Sequence, residues 1–201
     1  VVTPLQMAMV YAAIANGGIV YEPRVVKAIM NPDGTIAEQI NSKVKSKLPI
    51  SDATLKYIQK SLVGVTISGT GAPPFIGFPL SRIPVATKTG TGEVLGKQST
   101  SWFASYAPAD NPKYAVVMMV AQGGTGSGTS APSVRRIYEE IFGVRGSTID
   151  PESSILFGGA PNNSLPKIRP DGLPDFPEID NLLNPSPSPS ISNLSITKAS
   201  Q

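Results

Sequence analysis

Ala86-Thr87-Lys88-Thr89-Gly90-Thr91-Gly92-Glu93 is the stretch from which the fold of this chain is read. Residues 84–91 read as a strand entered through a proline, which a strand tolerates at its first position. Alternate side chains of a strand share a face, so Thr87, Thr89 and Thr91 point one way and Lys88 and Gly90 the other. A twisted edge lets the long Lys88 side chain reach round. Two hydroxyls on one face with an ammonium nearby suit a carboxylate. Gly90 has no side chain, so a ligand backbone can approach closely. An exposed edge would also offer N–H and C=O groups to an extended peptide. An edge strand with a solvated lysine has the same pattern, so the flanking sequence has to decide.

On the N-terminal side, Thr3-Pro4 opens a helix, with Thr3 as the cap and Pro4 where a missing N–H costs nothing. Asn16-Gly17-Gly18 ends it. Two short strands, 18–21 and 24–30, are expected next, as a hairpin. Asn31-Pro32-Asp33-Gly34 is a turn signal. Residues 42–47 form a basic, exposed run. Ser51 caps a second helix over 52–65, with Leu55, Ile58, Leu62 and Val65 on one face, and Ser68-Gly69-Thr70-Gly71 breaks it.

On the C-terminal side, strands are expected at 101–106 and 113–120. The second, Tyr114-Ala115-Val116-Val117-Met118-Met119-Val120, is apolar on both faces and is therefore expected to be central in its sheet. Trp102 and Phe103 are expected as core anchors, and Glu93 as a solvated side chain. Residues 123–128 read as a glycine-rich loop without P-loop spacing, and Gly96-Lys97-Gln98 fails the same test. A last helix runs over 131–142 and stops at Gly143. Short links between sequential strands imply antiparallel pairing, so the fold class is α/β in the α+β sense, an antiparallel sheet with packed helices.

Composition narrows the chemistry. The 201 residues include neither His nor Cys. Ser-His-Asp and Cys-His mechanisms, disulfides, thiolate zinc sites and His-ligated metals are therefore excluded. The formal charge of +3 is too small to point to nucleic acid. It is unevenly spread: residues 1–145 carry 14 Lys/Arg against 8 Asp/Glu, and residues 146–201 carry 3 against 6. The organisation expected is a folded body over 1–145 and a disordered Pro/Ser-rich tail over 146–201, where Pro185-Ser186-Pro187-Ser188-Pro189-Ser190 is of low complexity. No stretch reaches the ~20 apolar residues of a spanning helix. The chain lacks an initiating Met and begins just before a helix cap, so it reads as a piece of something longer.

Lys88-Thr89-Gly90-Thr91 resembles the third signature motif of serine penicillin-binding proteins and their β-lactamase relatives. The surroundings resemble the family in the same order. Thr3-Pro4-Leu5-Gln6 with Asn16-Gly17-Gly18 is similar to its Thr-Pro-Leu-Gln helix. Residues 65–71 are similar to the segment before the motif strand, and Ser101-Trp102-Phe103 through Ala107-Pro108-Ala109 to the strand after it. The resemblance covers residues 1–143. The glycine loop and Ala131-Pro132 resemble class B enzymes of the elongation type more than the division type.

The resemblance implies a DD-transpeptidase that cross-links peptidoglycan by serine acyl transfer on D-Ala-D-Ala stem peptides, is trapped by β-lactams, and needs no cofactor. Lys88 would bond the serine of a second motif and set a positive potential. Thr89 and Thr91 would bind the carboxylate, Gly90 would let the ligand approach, and the Thr91 N–H would form half of an oxyanion hole. Expected partners are stem peptides, β-lactams, the missing N-terminal part of the same protein and the cell-wall elongation machinery, at the extracytoplasmic face of a bacterial membrane.

The chain departs from the family pattern in one respect. The nucleophile of Ser-x-x-Lys belongs well upstream of Lys-Thr-Gly, and the Ser-x-Asn motif has no match. Ser42-Lys43-Val44-Lys45 and Ser195-Ile196-Thr197-Lys198 fit Ser-x-x-Lys as strings but lie in the wrong context. The part supplying the nucleophile would add a central helix and two strands, and without it a sheet face would expose a large apolar patch. Two alternatives have the same fold: a penicillin-sensing or noncatalytic interaction domain, and an inactive piece of a split gene.

Overall fold

The structure is a computed structural model and describes residues 2–149. Helix α1 spans Pro4–Ala15. The Thr3 hydroxyl accepts the Gln6 N–H at 3.2 Å, and the Thr3 N–H donates to Gln6 Oε1 at 2.8 Å. This reciprocal cap satisfies donors that the first helical turn cannot pair. At the other end Gly17 and Gly18 take φ of 91° and 97°, values that only glycine adopts readily, and the chain reverses. The Asn16 amide holds the reversal by exchanging two 2.9 Å bonds with the backbone of Ile19.

The expected 18–21/24–30 hairpin is corrected. Strand β1 (Ile19–Tyr21) pairs antiparallel with β4 (Val44–Lys47), not with the segment that follows it. Leu48 N–H donates to Gly18 O at 2.8 Å and Glu22 N–H to Lys43 O at 2.9 Å, so β4 takes the pairing edge of β1. The β4 strand is hidden in sequence because all four of its residues are exposed; no apolar alternation marks it. Strands β2 (Ala28–Met30) and β3 (Ile36–Gln39) form their own antiparallel hairpin within a separate small unit over 26–40. Its turn closes with Gly34 N–H on Asn31 O at 3.0 Å, as the Asn-Pro-Asp-Gly signal predicts.

Helix α2 spans Asp52–Ser68, capped by Ser51, whose hydroxyl accepts the Thr54 N–H at 3.1 Å. It runs three residues past the expected end at Val65. Val65, Thr66 and Ile67 are β-branched and poor helix formers, but the buried Thr66 hydroxyl bonds Val85 O at 2.7 Å, and this tertiary contact outweighs propensity.

Strands β5 (Ala86–Gly92), β6 (Thr100–Ala107) and β7 (Tyr114–Val120) form an antiparallel sheet in that order. Among the described residues β6 is in the middle, and β7, expected to be central, is the half-buried outer strand; the two further strands expected in this sheet lie outside the chain. On one face Ala86, Ala104 and Tyr106 pack with Tyr11 and Met7 of α1 and Leu62 and Val63 of α2. On the other, Val85 and Phe103 pack with Phe75, Phe78 and the Val134, Tyr138 and Phe142 side chains of α3 (Ala131–Phe142). Phe103 stacks on Phe75 with ring centroids 6.1 Å apart. Gly143, at φ 65°, ends α3 in a left-handed cap. A short hairpin, β8 (Val144–Arg145) with β9 (Thr148–Ile149), follows. The composition boundary at 145/146 falls in its turn, and residues 150–201 of the expected tail lie outside the described residues.

Sheet and helix α3 are also joined by a polar contact. The Ser105 hydroxyl donates to Val116 O at 3.0 Å, so its oxygen accepts the Tyr138 proton at 2.9 Å. Burial raises the Tyr138 hydroxyl above the ordinary tyrosine value. It also pushes Tyr11 up to about 12, and burial together with Tyr11 does the same to Tyr106. Folding thus favours the neutral phenols. Their contribution is complete below about pH 10 and is lost as the pH rises through the folded values. Urea melts should show constant stability from these groups up to about pH 10. Above that, the fully buried Tyr138 should contribute a fall of at most about 1.4 kcal/mol per pH unit. Tyr138→Phe should make the fall shallower, and an unchanged slope would contradict the burial described.

Candidate functional site

Among the described residues strand β5 has a strand partner on one side only. Pro84 O accepts the Ala109 N–H at 2.7 Å, so residue 84 faces β6. Backbone groups of an antiparallel strand alternate in direction, and residues 86, 88, 90 and 92 therefore face β6 as well. Residues 85, 87, 89 and 91 face the open side. Two bonds bear this out: Val85 O receives the Thr66 hydroxyl at 2.7 Å and Thr89 O receives the Lys88 ammonium at 2.6 Å. The same alternation points the Thr91 N–H to the free edge.

The open side is lined first by the end of α2. Because the Thr66 hydroxyl gives its proton to Val85 O, it accepts that of Thr87 in their buried 3.0 Å contact. The next threonines along, Thr70 and Thr89, bring their hydroxyls to 2.6 Å. Gly71 fits between, since a Cβ there would lie 2.7 Å from Thr87 Oγ1 and 3.2 Å from Val65 O. From Thr89 onward the edge is open.

Beside it lies a groove of about 350 Å³, lined by Met7 and Tyr11 of α1, residues 88–92 of β5, and Trp102 and Ala104 of β6. Lys88 is exposed, and among the described residues lining the groove it is the one charged side chain. A carboxylate entering here meets a cation without a fixed counter-anion in the lining. Lys88, as expected, reaches round the strand to the edge. Thr91 is exposed, while Thr89 and Gly90 are half-buried. A Cβ on Gly90 would come within 3.0 Å of Trp102 Cβ, so a side chain there would crowd the floor of the groove. Phe103 is the core anchor expected, with no exposed surface. Trp102 instead lines the groove, half-buried.

Under the strand, on its other face, sits a π-helical turn over Gly126–Ser130, where sequence indicated only a loop. Ser101, register partner of Thr91, donates its hydroxyl proton to Thr125 O at 2.8 Å and accepts from the Ser130 N–H at 3.2 Å and the Ser130 hydroxyl at 2.7 Å. Gly126 lies flat against the β5–β6 ladder: a Cβ there would run into the carbonyl oxygens of Trp102 and Gly90, 2.6 Å from the latter. Sequence reasoning missed Thr66, Thr70, Ser101, Gly126 and Ser130. Their partners lie 19 to 36 residues away in the chain, so no local pattern marks them. Of the Ser-x-x-Lys strings, Ser42 and Lys45 are exposed beside and on β4 and line no part of the groove. Ser195 and Lys198 lie outside the described residues.

Residues 1–139 match the family model for the penicillin binding protein transpeptidase domain. Penicillin-binding protein PbpB of Mycolicibacterium smegmatis is 31% identical over 154 residues, which are 69% of this chain and 23% of that protein. The crystal structure of the D,D-transpeptidase domain of a peptidoglycan glycosyltransferase from Eggerthella lenta is 32% identical, with a TM-score of 0.60 over 71% of this chain and 33% of that one. The imipenem acyl-enzyme complex of penicillin-binding protein A from M. tuberculosis is 29% identical, with a TM-score of 0.58 over 69% of this chain and 30% of that one. The chain thus spans about a quarter to a third of the length of these proteins.

The contact under β5 has a measurable consequence. Gly126→Ala should lower stability by about 1–3 kcal/mol, the usual cost of forcing atoms into a packed interior. Gly64→Ala, in helix α2 with nothing within 4 Å of an added Cβ, should raise it by about 0.5–1 kcal/mol. Urea midpoints of the two variants report both, and equal midpoints would contradict the seating of Gly126 on the ladder.

Proposed function

The chain belongs to the penicillin-binding protein transpeptidase family, and from that premise we propose that it is the ligand-clamping portion of a serine DD-transpeptidase domain, folded over 1–145 and followed by a Pro/Ser-rich tail. The observation that carries this reading is the unpaired edge of β5. It offers the Thr89 and Thr91 side chains, the outward N–H of Thr91 and the Lys88 ammonium beside one groove. The ligand is an extended peptide ending in D-Ala-D-Ala. Its terminal carboxylate is held by the Thr89 and Thr91 hydroxyls and the field of Lys88, and Gly90 leaves room for its backbone.

A serine from a segment outside residues 1–201 attacks the carbonyl of the penultimate residue. The N–H of Thr91, with that of the serine itself, stabilises the charge on the tetrahedral oxygen. Collapse breaks the peptide bond and the terminal D-Ala departs as the amine, taking up a proton. An amine of a second stem peptide then attacks the ester, forms the new amide and frees the serine. A β-lactam follows the first half of this course and stays as the ester. Lys88 also bonds the serine of the second motif, which comes from the same absent segment. Among the described residues no helix is long and apolar enough to cross a membrane; the placement we propose is the extracytoplasmic face of a bacterial membrane, anchored through that segment. The segment would also cover the exposed Val2, Leu5 and Val10 beside and on α1. The glycine loop at 123–128 and Ala131-Pro132 favour the elongation-type, class B branch, with the elongation machinery as partner.

Fluorescent penicillin tests this on the chain alone and on the chain joined to its Ser-x-x-Lys segment. Only the joined form should become covalently labelled. Lys88→Ala in that form should slow labelling about 10- to 100-fold, the worth of a hydrogen bond to a charged group. Labelling of residues 1–201 alone would place an acylated serine within them. No labelling of either form would refute acyl transfer and leave an inactive member of the fold.

A further inference from the structure

A hydroxyl carries one proton, so when two hydroxyls touch, one donates and the other accepts. At the Thr66–Thr87 contact the direction is settled, because Thr66 spends its proton on Val85 O. Just past the end of α2, Thr70 Oγ1 and Thr89 Oγ1 are 2.6 Å apart, and either can be the donor. A ligand at the β5 edge sets the direction. A carboxylate only accepts, so a carboxylate bound at Thr89 takes the Thr89 proton, and Thr89 must then accept from Thr70.

The backbone fixes Thr70 for this role. Val65 O accepts both the Gly69 N–H at 3.1 Å and the Gly71 N–H at 3.2 Å, which locks the turn at the end of α2. Gly71 is pressed against Thr87 Oγ1 and Val65, and a Cβ would not fit. Thr70 itself is exposed, so its side chain contributes little to packing. An exposed threonine whose turn is this tightly held, and whose hydroxyl lies at hydrogen-bond distance from a candidate carboxylate donor, serves the site more than the fold.

We propose that Thr70 is a positioning residue for the carboxylate end of the ligand: by donating to Thr89 Oγ1 it turns the Thr89 proton toward the free edge, in line with the Thr91 hydroxyl. Hydrogen bonds in such a chain polarise one another, so Thr89 becomes a stronger donor to an anion. This rests on the carboxylate-clamp reading above.

The test uses the protein carrying its Ser-x-x-Lys segment and measures second-order acylation by benzylpenicillin and by benzylpenicillin methyl ester. The ester acylates through the same ring but presents no carboxylate. Thr70→Val should slow acylation by the acid about 3- to 10-fold, the worth of one hydrogen bond, leave the rate with the ester unchanged, and melt with the wild type. Thr70→Ser should restore the acid rate. An unchanged acid rate in Thr70→Val overturns the inference, and so does equal slowing with acid and ester, which would mark a purely structural role. Absence of acylation in the wild type would overturn the transpeptidase reading itself, and this inference with it.

Discussion

Strand β5 must stay ordered while, among the described residues, one of its two edges has no strand partner. A ladder on one side supplies only half of the backbone bonds a strand can make, and an unpaired edge is a place where strands slip or associate. Here the shortfall is met by side chains and packing. The β5–β6 register runs unbroken from Ala86↔Tyr106 to Gly92↔Thr100. The end of α2 and the turn after it supply hydroxyl contacts to Val85, Thr87 and Thr89 along the first half of the open edge. The second half, from Thr89 to Gly92, stays open among the described residues.

Both faces of the sheet carry that requirement outward. On one, Tyr11 of α1 packs with Ala86, Ala104 and Tyr106, and the small residues bring the helix close enough to wall a groove beside Lys88. On the other, Phe103 holds the strand pair to the α3 layer while Ser101 and Ser130 tie down the π-helical turn under Thr91. Glycine recurs where backbone must meet backbone: Gly71 against the end of α2, and Gly126 on the β5–β6 ladder. Close packing transmits small displacements, so these glycines and serines set the position of Thr91 although none of them need touch a ligand.

The site strand was legible in the sequence because it depends on local order. Lys88, Thr89, Gly90 and Thr91 are adjacent, period-2 alternation assigns their directions, and the proline before them marks the entry. The helices were legible for a similar reason, through Thr3-Pro4, Ser51 and the stop at Gly143. The errors share a different cause. Strand β4 carries alternating lysines with no buried face, and its pairing with β1 is flanked by the Leu48–Gly18 and Glu22–Lys43 backbone bonds, which join residues far apart in the chain. Among the described strands the packed middle position belongs to β6, whose alternating Ser101, Phe103 and Ser105 are all buried. Serines read as surface in a sequence; here they are buried because each finds a hydrogen-bond partner.

By itself the sequence determined the helix caps, the strand that carries Lys-Thr-Gly-Thr, the exclusion of histidine and cysteine chemistry, and the family resemblance. Each of these is encoded in neighbouring residues or in bare composition. Only the tertiary structure decided which edge of β5 is open, that Thr70 lies against Thr89, that Trp102 lines a groove while Phe103 anchors the core, and that Gly126 bears the strand pair. Those outcomes depend on contacts between residues far apart in the chain. Such contacts arise from the pairing of the three strands and the packing of three helices on their sheet, which no local pattern of side chains specifies.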